Sequence, residues 1–115
     1  MDTATLNKYK VSFLTKRLNS RLVKDMSSLN DLFGQFVTDF RDKIEAITLR
    51  NGVLKVMGGV VEKEIVISPT LLTAEITLEF TKFYEDPEYD SSTMPSFSIP
   101  TNDFKSILES WIEYL

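Results

Sequence analysis

A chain of 115 residues, 43% hydrophobic and 26% charged, can bury one core without disulfides or metal and predicts a single domain over residues 1–115. It has no cysteine and no histidine, which removes thiol nucleophiles, Cys/His zinc sites and the usual general base of hydrolytic triads. The net charge of −4 is unevenly spread: residues 1–26 carry six basic and two acidic side chains, residues 75–115 two basic and nine acidic, so the acidic end suits a basic partner.

Met1 to Asn7 lacks the basic start and apolar stretch of an export leader, and no apolar run approaches the roughly 20 residues of a membrane span. A cytoplasmic protein without membrane contact is expected. From Leu6 to Met26 two patterns compete. Val11, Leu14, Leu18, Leu22 and Met26 recur at helical spacing, whereas Lys8 to Phe13 alternates as a strand would. The helical spacing persists longer and predicts a helix. Its cations Lys16, Arg17, Arg21 and Lys24 would suit phosphates, but the negative net charge and the nearby Asp39, Asp42 and Glu45 argue against nucleic acid.

Ser28 is expected to cap a second helix whose apolar stripe runs through Leu29, Leu32, Phe33, Phe36, Val37, Phe40 and Ile44. Gly34 lies within it, a choice that costs a helix about 1 kcal/mol against Ala and so points to close packing there. Next, Ile47 to Arg50, Asn51-Gly52 and Val53 to Val56 read as a hairpin with a type I′ turn, placing Ile47, Leu49, Leu54 and Val56 on one side. Gly58-Gly59 permits a turn. Val61 to Ile67 is a third strand, stopped by Pro69. Ala74, Ile76, Leu78 and Phe80 alternate with polar residues as a fourth, with a register break at Phe83. Phe97 and Ile99 supply a fifth. Thr101 is the expected N-cap of a closing helix whose apolar face is Phe104, Ile107, Leu108, Trp111, Ile112 and Leu115.

The segment Tyr84 to Thr93 is the one loop whose composition invites a functional reading. It holds four carboxylates, Glu85, Asp86, Glu88 and Asp90, with Tyr84 and Tyr89 among them. A calcium loop counted from Asp86 would need Gly at its sixth position and Glu at its twelfth, where Ser91 and Phe97 stand, so no metal is expected. Paired-carboxylate catalysis needs one acid held in a dry site, and nothing in this surface pattern supplies one. Recognition of a basic protein fits best, the acids steering the partner and the tyrosines providing rigid contact area, set against the plain reading of a solvated connection.

The tail Phe97-Ser98-Ile99-Pro100-Thr101-Asn102-Asp103-Phe104, continuing through Ile107-Leu108-Glu109 to Trp111-Ile112, resembles the C-terminal end of small bacterial immunity proteins, the partners of contact-dependent and other polymorphic toxins. The resemblance covers about twenty of the 115 residues and is a packing pattern. It implies a protein that binds a cognate toxin domain, often a nuclease, and blocks it with acidic residues. Local chemistry then nominates Tyr84, Glu85, Asp86, Glu88, Tyr89 and Asp90 as the partner-binding set.

Together these readings predict an α+β domain: two N-terminal helices, an antiparallel meander of four to five strands, and a C-terminal helix packed on the sheet. They predict no enzyme, no catalytic residues and no cofactor. A monomer and a homodimer fit equally. The alternative within binding is a small acidic secretion or phage-assembly chaperone using exposed apolar surface; from another class, a carboxylate-dependent hydrolase.

Overall fold

The computed structural model describes all of residues 1–115 and has the α+β class, with four helices and two antiparallel sheets. Helix α1 (Thr3–Lys8) is followed by a two-stranded hairpin, β1 (Ser12–Leu18) and β2 (Arg21–Ser27). Helices α2 (Asp31–Thr38) and α3 (Lys43–Met57) come next. Four strands then form an antiparallel meander in chain order, β3 (Lys63–Ile67), β4 (Thr73–Thr77), β5 (Phe80–Tyr84) and β6 (Phe97–Pro100). Helix α4 (Thr101–Tyr114) closes the fold. No helix is long and apolar enough to cross a membrane.

The helix expected over Leu6 to Met26 is instead α1 and the β1–β2 hairpin. Asn19 and Ser20 take φ values of 50° and 65°, the two successive positive angles that a two-residue hairpin turn requires. The register pairs Phe13 with Met26, and these two face the body of the protein. The leucines that suggested a helical stripe are on the surface: Leu14, Leu18 and Leu22 are 44%, 56% and 67% exposed.

The long second helix is two helices. Asn30, not Ser28, caps α2, its side chain accepting from the Phe33 amide at 2.9 Å. Ser28 instead bonds the backbone of Asn30. The stripe breaks after Thr38, and Asp42 starts α3 by accepting from the amides of Ile44 and Glu45. Asp39, in the break, accepts from the hydroxyls of Ser68 and Thr70 and so ties the break to the β3–β4 turn. Gly34 is buried where an added Cβ would meet the Met26 carbonyl oxygen at 3.1 Å, so β2 does pack closely on α2.

The expected Asn51-Gly52 hairpin is absent, because that dipeptide lies inside α3. Ala46, Leu49, Val53 and Val56 recur at spacings of three and four and form its buried face, and that longer pattern overrides the turn signal. Gly52 faces β3, with the Glu64 side chain 3.5 Å from where a Cβ would be, an ordinary van der Waals distance. The helix ends at Gly58-Gly59, where Gly59 takes a φ of 76°.

The fourth predicted strand is also two. Leu78 and Glu79 form a tight turn between β4 and β5, with Leu78 62% exposed. That turn shifts the buried phase from Ala74 and Ile76 to Thr81 and Phe83, which is why Phe83 breaks the alternation. At the start of α4, Thr101 is a helical residue and not the cap: its hydroxyl donates to the Thr77 carbonyl at 2.6 Å and sits 3.0 Å from the Thr81 hydroxyl. It joins the helix start to the β4–β5 turn.

The inner sheet face carries Ala74, Ile76, Phe83 and Ile99, covered by α2, α3 and α4. Phe33, Phe36, Phe83 and Phe104 meet there as a buried cluster with ring centroids 5.1–6.4 Å apart. The hairpin seats on the end of α4, where Phe13 lies against Trp111 and Tyr114. The outer sheet face is left to solvent and to the connection between β5 and β6.

Candidate functional site

The strand pairing brings Lys63, Ile65, Glu75, Lys82, Tyr84 and Ser98 onto the outer face. The connection from Glu85 to Ser96 folds back over one end of it. Tyr89 lies flat on Tyr84, with ring centroids 3.9 Å apart and planes 8° from parallel, and its hydroxyl donates to the Glu75 carboxylate at 2.8 Å. Burial and the neighbouring Glu75 carboxylate push both phenols to higher pKa.

The loop also carries its own internal bonds. The Asp86 carboxylate accepts from the Glu88 amide at 2.8 Å. Asp90 accepts from the amide and hydroxyl of Ser92, and its own amide donates to the Thr93 hydroxyl. The bonds from Ser92, with a longer one from the Thr93 hydroxyl at 3.4 Å, hold the Asp90 carboxyl below its ordinary pKa. The Ser96 amide donates to the Phe83 carbonyl at 2.8 Å, fixing the return into β6.

The six predicted residues fall into two groups. Glu85, Asp86 and Glu88 are exposed and line a small hollow of about 220 Å³ with Tyr84, Tyr89 and Met94. Asp90 sits on the wall of a larger open concavity of about 670 Å³, which Lys63, Ile65, Glu75 and Lys82 floor. The two tyrosines border both hollows. Tyr84 is only 6% exposed beneath the Tyr89 ring, so it supports the loop and offers little contact area itself.

None of the four loop carboxylates takes part in the chain's five ion pairs. No three acids converge as a cation cage would need. The arrangement offers hydrogen-bond acceptors and negative charge on an ordered support, beside Met94, which is 85% exposed.

Sequence reasoning missed Glu75, which anchors the loop, and the lysines Lys63 and Lys82 beside it. Their signal was the polar phase of the strand alternation, which marks a wet face without saying what covers it. Met94 carried no pattern. Comparison of the chain with protein-family models, with curated proteins and with solved structures finds no match.

Proposed function

We propose that this chain is a non-enzymatic protein-binding module that neutralises a toxin domain by presenting the acidic loop to its basic surface. One observation carries the reading: four carboxylates without cationic partners stand on a loop held by the Tyr84–Tyr89 stack and the Tyr89–Glu75 hydrogen bond. A surface already in its binding shape loses little entropy on association. Unpaired acids speed encounter with a basic partner and fix its orientation. Met94 adds an apolar contact that can be desolvated beside them. The resemblance of the tail to immunity proteins supports the choice of partner class.

The test is rescue of cells that express the toxin encoded beside this chain's gene. The combined substitution Glu85→Gln, Asp86→Asn, Glu88→Gln and Asp90→Asn should abolish rescue, and binding by the unsubstituted chain should tighten as salt is lowered. Full rescue by the substituted chain, with binding indifferent to salt, would overturn the mechanism.

A further inference from the structure

The four-stranded sheet has two edges of different character. At β6 the strand is four residues long, ends in Pro100 and runs directly into α4. At β3 there is no such protection. Strand β3 pairs only with β4, and apart from that ladder the backbone of residues 63–67 makes no hydrogen bond. A row of unmet amide and carbonyl groups therefore lines this edge. On the outer face, Ile65 and Ile67 are each 51% exposed beside it.

A groove of about 250 Å³ runs along the other side of the same edge, between α3 and the inner face of β3. Its floor is Phe40, Leu49, Gly52 and Val66, and Ile44, 76% exposed, stands at its rim. A strand laid against β3 would direct alternate side chains into this groove and the rest over Ile65 and Ile67. The charges in the groove are Glu45 and Glu64; no cation lines it, and neither acid is ion-paired. A second copy paired through its own β3 would bring two such acidic grooves together, and like charges set close in this way oppose pairing.

We propose that the β3 edge is a docking site for an extended segment of another protein, added as a fifth strand, with apolar residues at alternate positions and Lys or Arg between them. The backbone ladder provides affinity that tolerates many sequences. The Lys or Arg side chains enter the groove, their stems along Phe40, Leu49 and Val66 and their charges at Glu45 and Glu64, while the apolar side chains between them cover Ile65 and Ile67 on the outer face.

The probe is a short synthetic peptide alternating Val with Lys, compared with its Val/Glu counterpart by amide shift changes and hydrogen exchange. The Lys peptide should protect the outward-facing amides among residues 63–67, those not bonded to β4, and bind at least about tenfold more tightly than the Glu peptide, the effect of about 1.4 kcal/mol of charge preference. Ile44→Lys, on an exposed side chain at the groove rim, should weaken binding of the Lys peptide without altering the fold. Glu45→Gln with Glu64→Gln should erase the preference for Lys. The chain with its four loop acids neutralised should still bind the peptide, which separates this site from the loop. Shift changes confined to residues 85–94, unchanged β3 amides, or concentration-dependent dimerisation through β3 would each overturn the proposal.

Discussion

The Trp111 indole nitrogen donates a 2.8 Å hydrogen bond to the main-chain carbonyl of Phe40. Phe40 lies in the break between α2 and α3, where helix geometry no longer supplies that carbonyl with a partner. Trp111 is fully buried, so the bond both satisfies the indole and pins α4 across the break. Trp111→Phe should therefore cost roughly 2–4 kcal/mol, from a buried carbonyl left unpaired plus lost volume. Urea denaturation checks this as a lower midpoint at unchanged slope.

The Tyr89 hydroxyl should control the order of the acidic loop more than the stability of the fold. Tyr89→Phe keeps the ring on Tyr84 and removes the bond to Glu75. It should speed amide exchange across residues 85–96 while changing global stability by about 1 kcal/mol or less. Tyr89→Ala, which also removes the stack, should speed it further.

Alkali should weaken the fold through Tyr9 and Tyr89. Burial and a carboxylate partner, Asp103 for Tyr9 and Glu75 for Tyr89, raise both phenols. The folded chain therefore holds protons that the unfolded chain releases above about pH 10. Stability from these groups is complete below that pH and falls as pH rises through the folded values. Thermal melts across this range should decline less steeply in Tyr9→Phe with Tyr89→Phe than in the unsubstituted chain.

Asp25 gives the opposite slope at acid pH. Lys16, then Arg41, holds its carboxyl below the ordinary value, so its contribution is present above about pH 4 and lost as pH falls through the lowered pKa. Asp25→Asn should cost about 1 kcal/mol or less at neutral pH, because both cations are half-exposed. That loss should vanish at low pH, as acid melts of the two proteins would show.

Gly34→Ala should destabilise, although helix propensity alone favours Ala by about 1 kcal/mol. The new methyl group would press on the Met26 carbonyl, which the Thr38 hydroxyl already holds as an acceptor. A net loss of about 1 kcal/mol is expected from this overpacking, read as a fall in melting temperature.

The closing strand and helix were legible because their pattern is long: Phe104, Ile107, Leu108 and Trp111 fill one face and are all fully buried. The errors came where two short patterns overlapped. Asn51-Gly52 is a strong turn signal locally, yet Asp42 as cap and the buried series Ala46, Leu49, Val53 and Val56 span fifteen residues of helix around it. In residues 11–26 the reverse held, since leucines at helical spacing lie on a hairpin whose apolar contacts are only Phe13 and Met26 on one face. Hydrophobic spacing reports a face, but burial depends on a distant partner, here α4, that no local window contains. The same reason hid Glu75 as the loop's anchor: fourteen residues separate it from Tyr89.

The seat of the first hairpin has a consequence for synthesis. Lys24 donates to the carbonyls of Tyr114 and Leu115, Thr15 bonds Tyr114, and Tyr9 bonds Asp103, across gaps of 90 to 99 residues. On a ribosome the hairpin emerges early and waits on the order of ten seconds for the helix that receives it. During that interval Phe13 lacks the cover of Trp111 and Tyr114, and both outer strand edges are open. A nascent chain stalled before Phe104 would hold an unseated β-ribbon, the species a holding chaperone would need to shield.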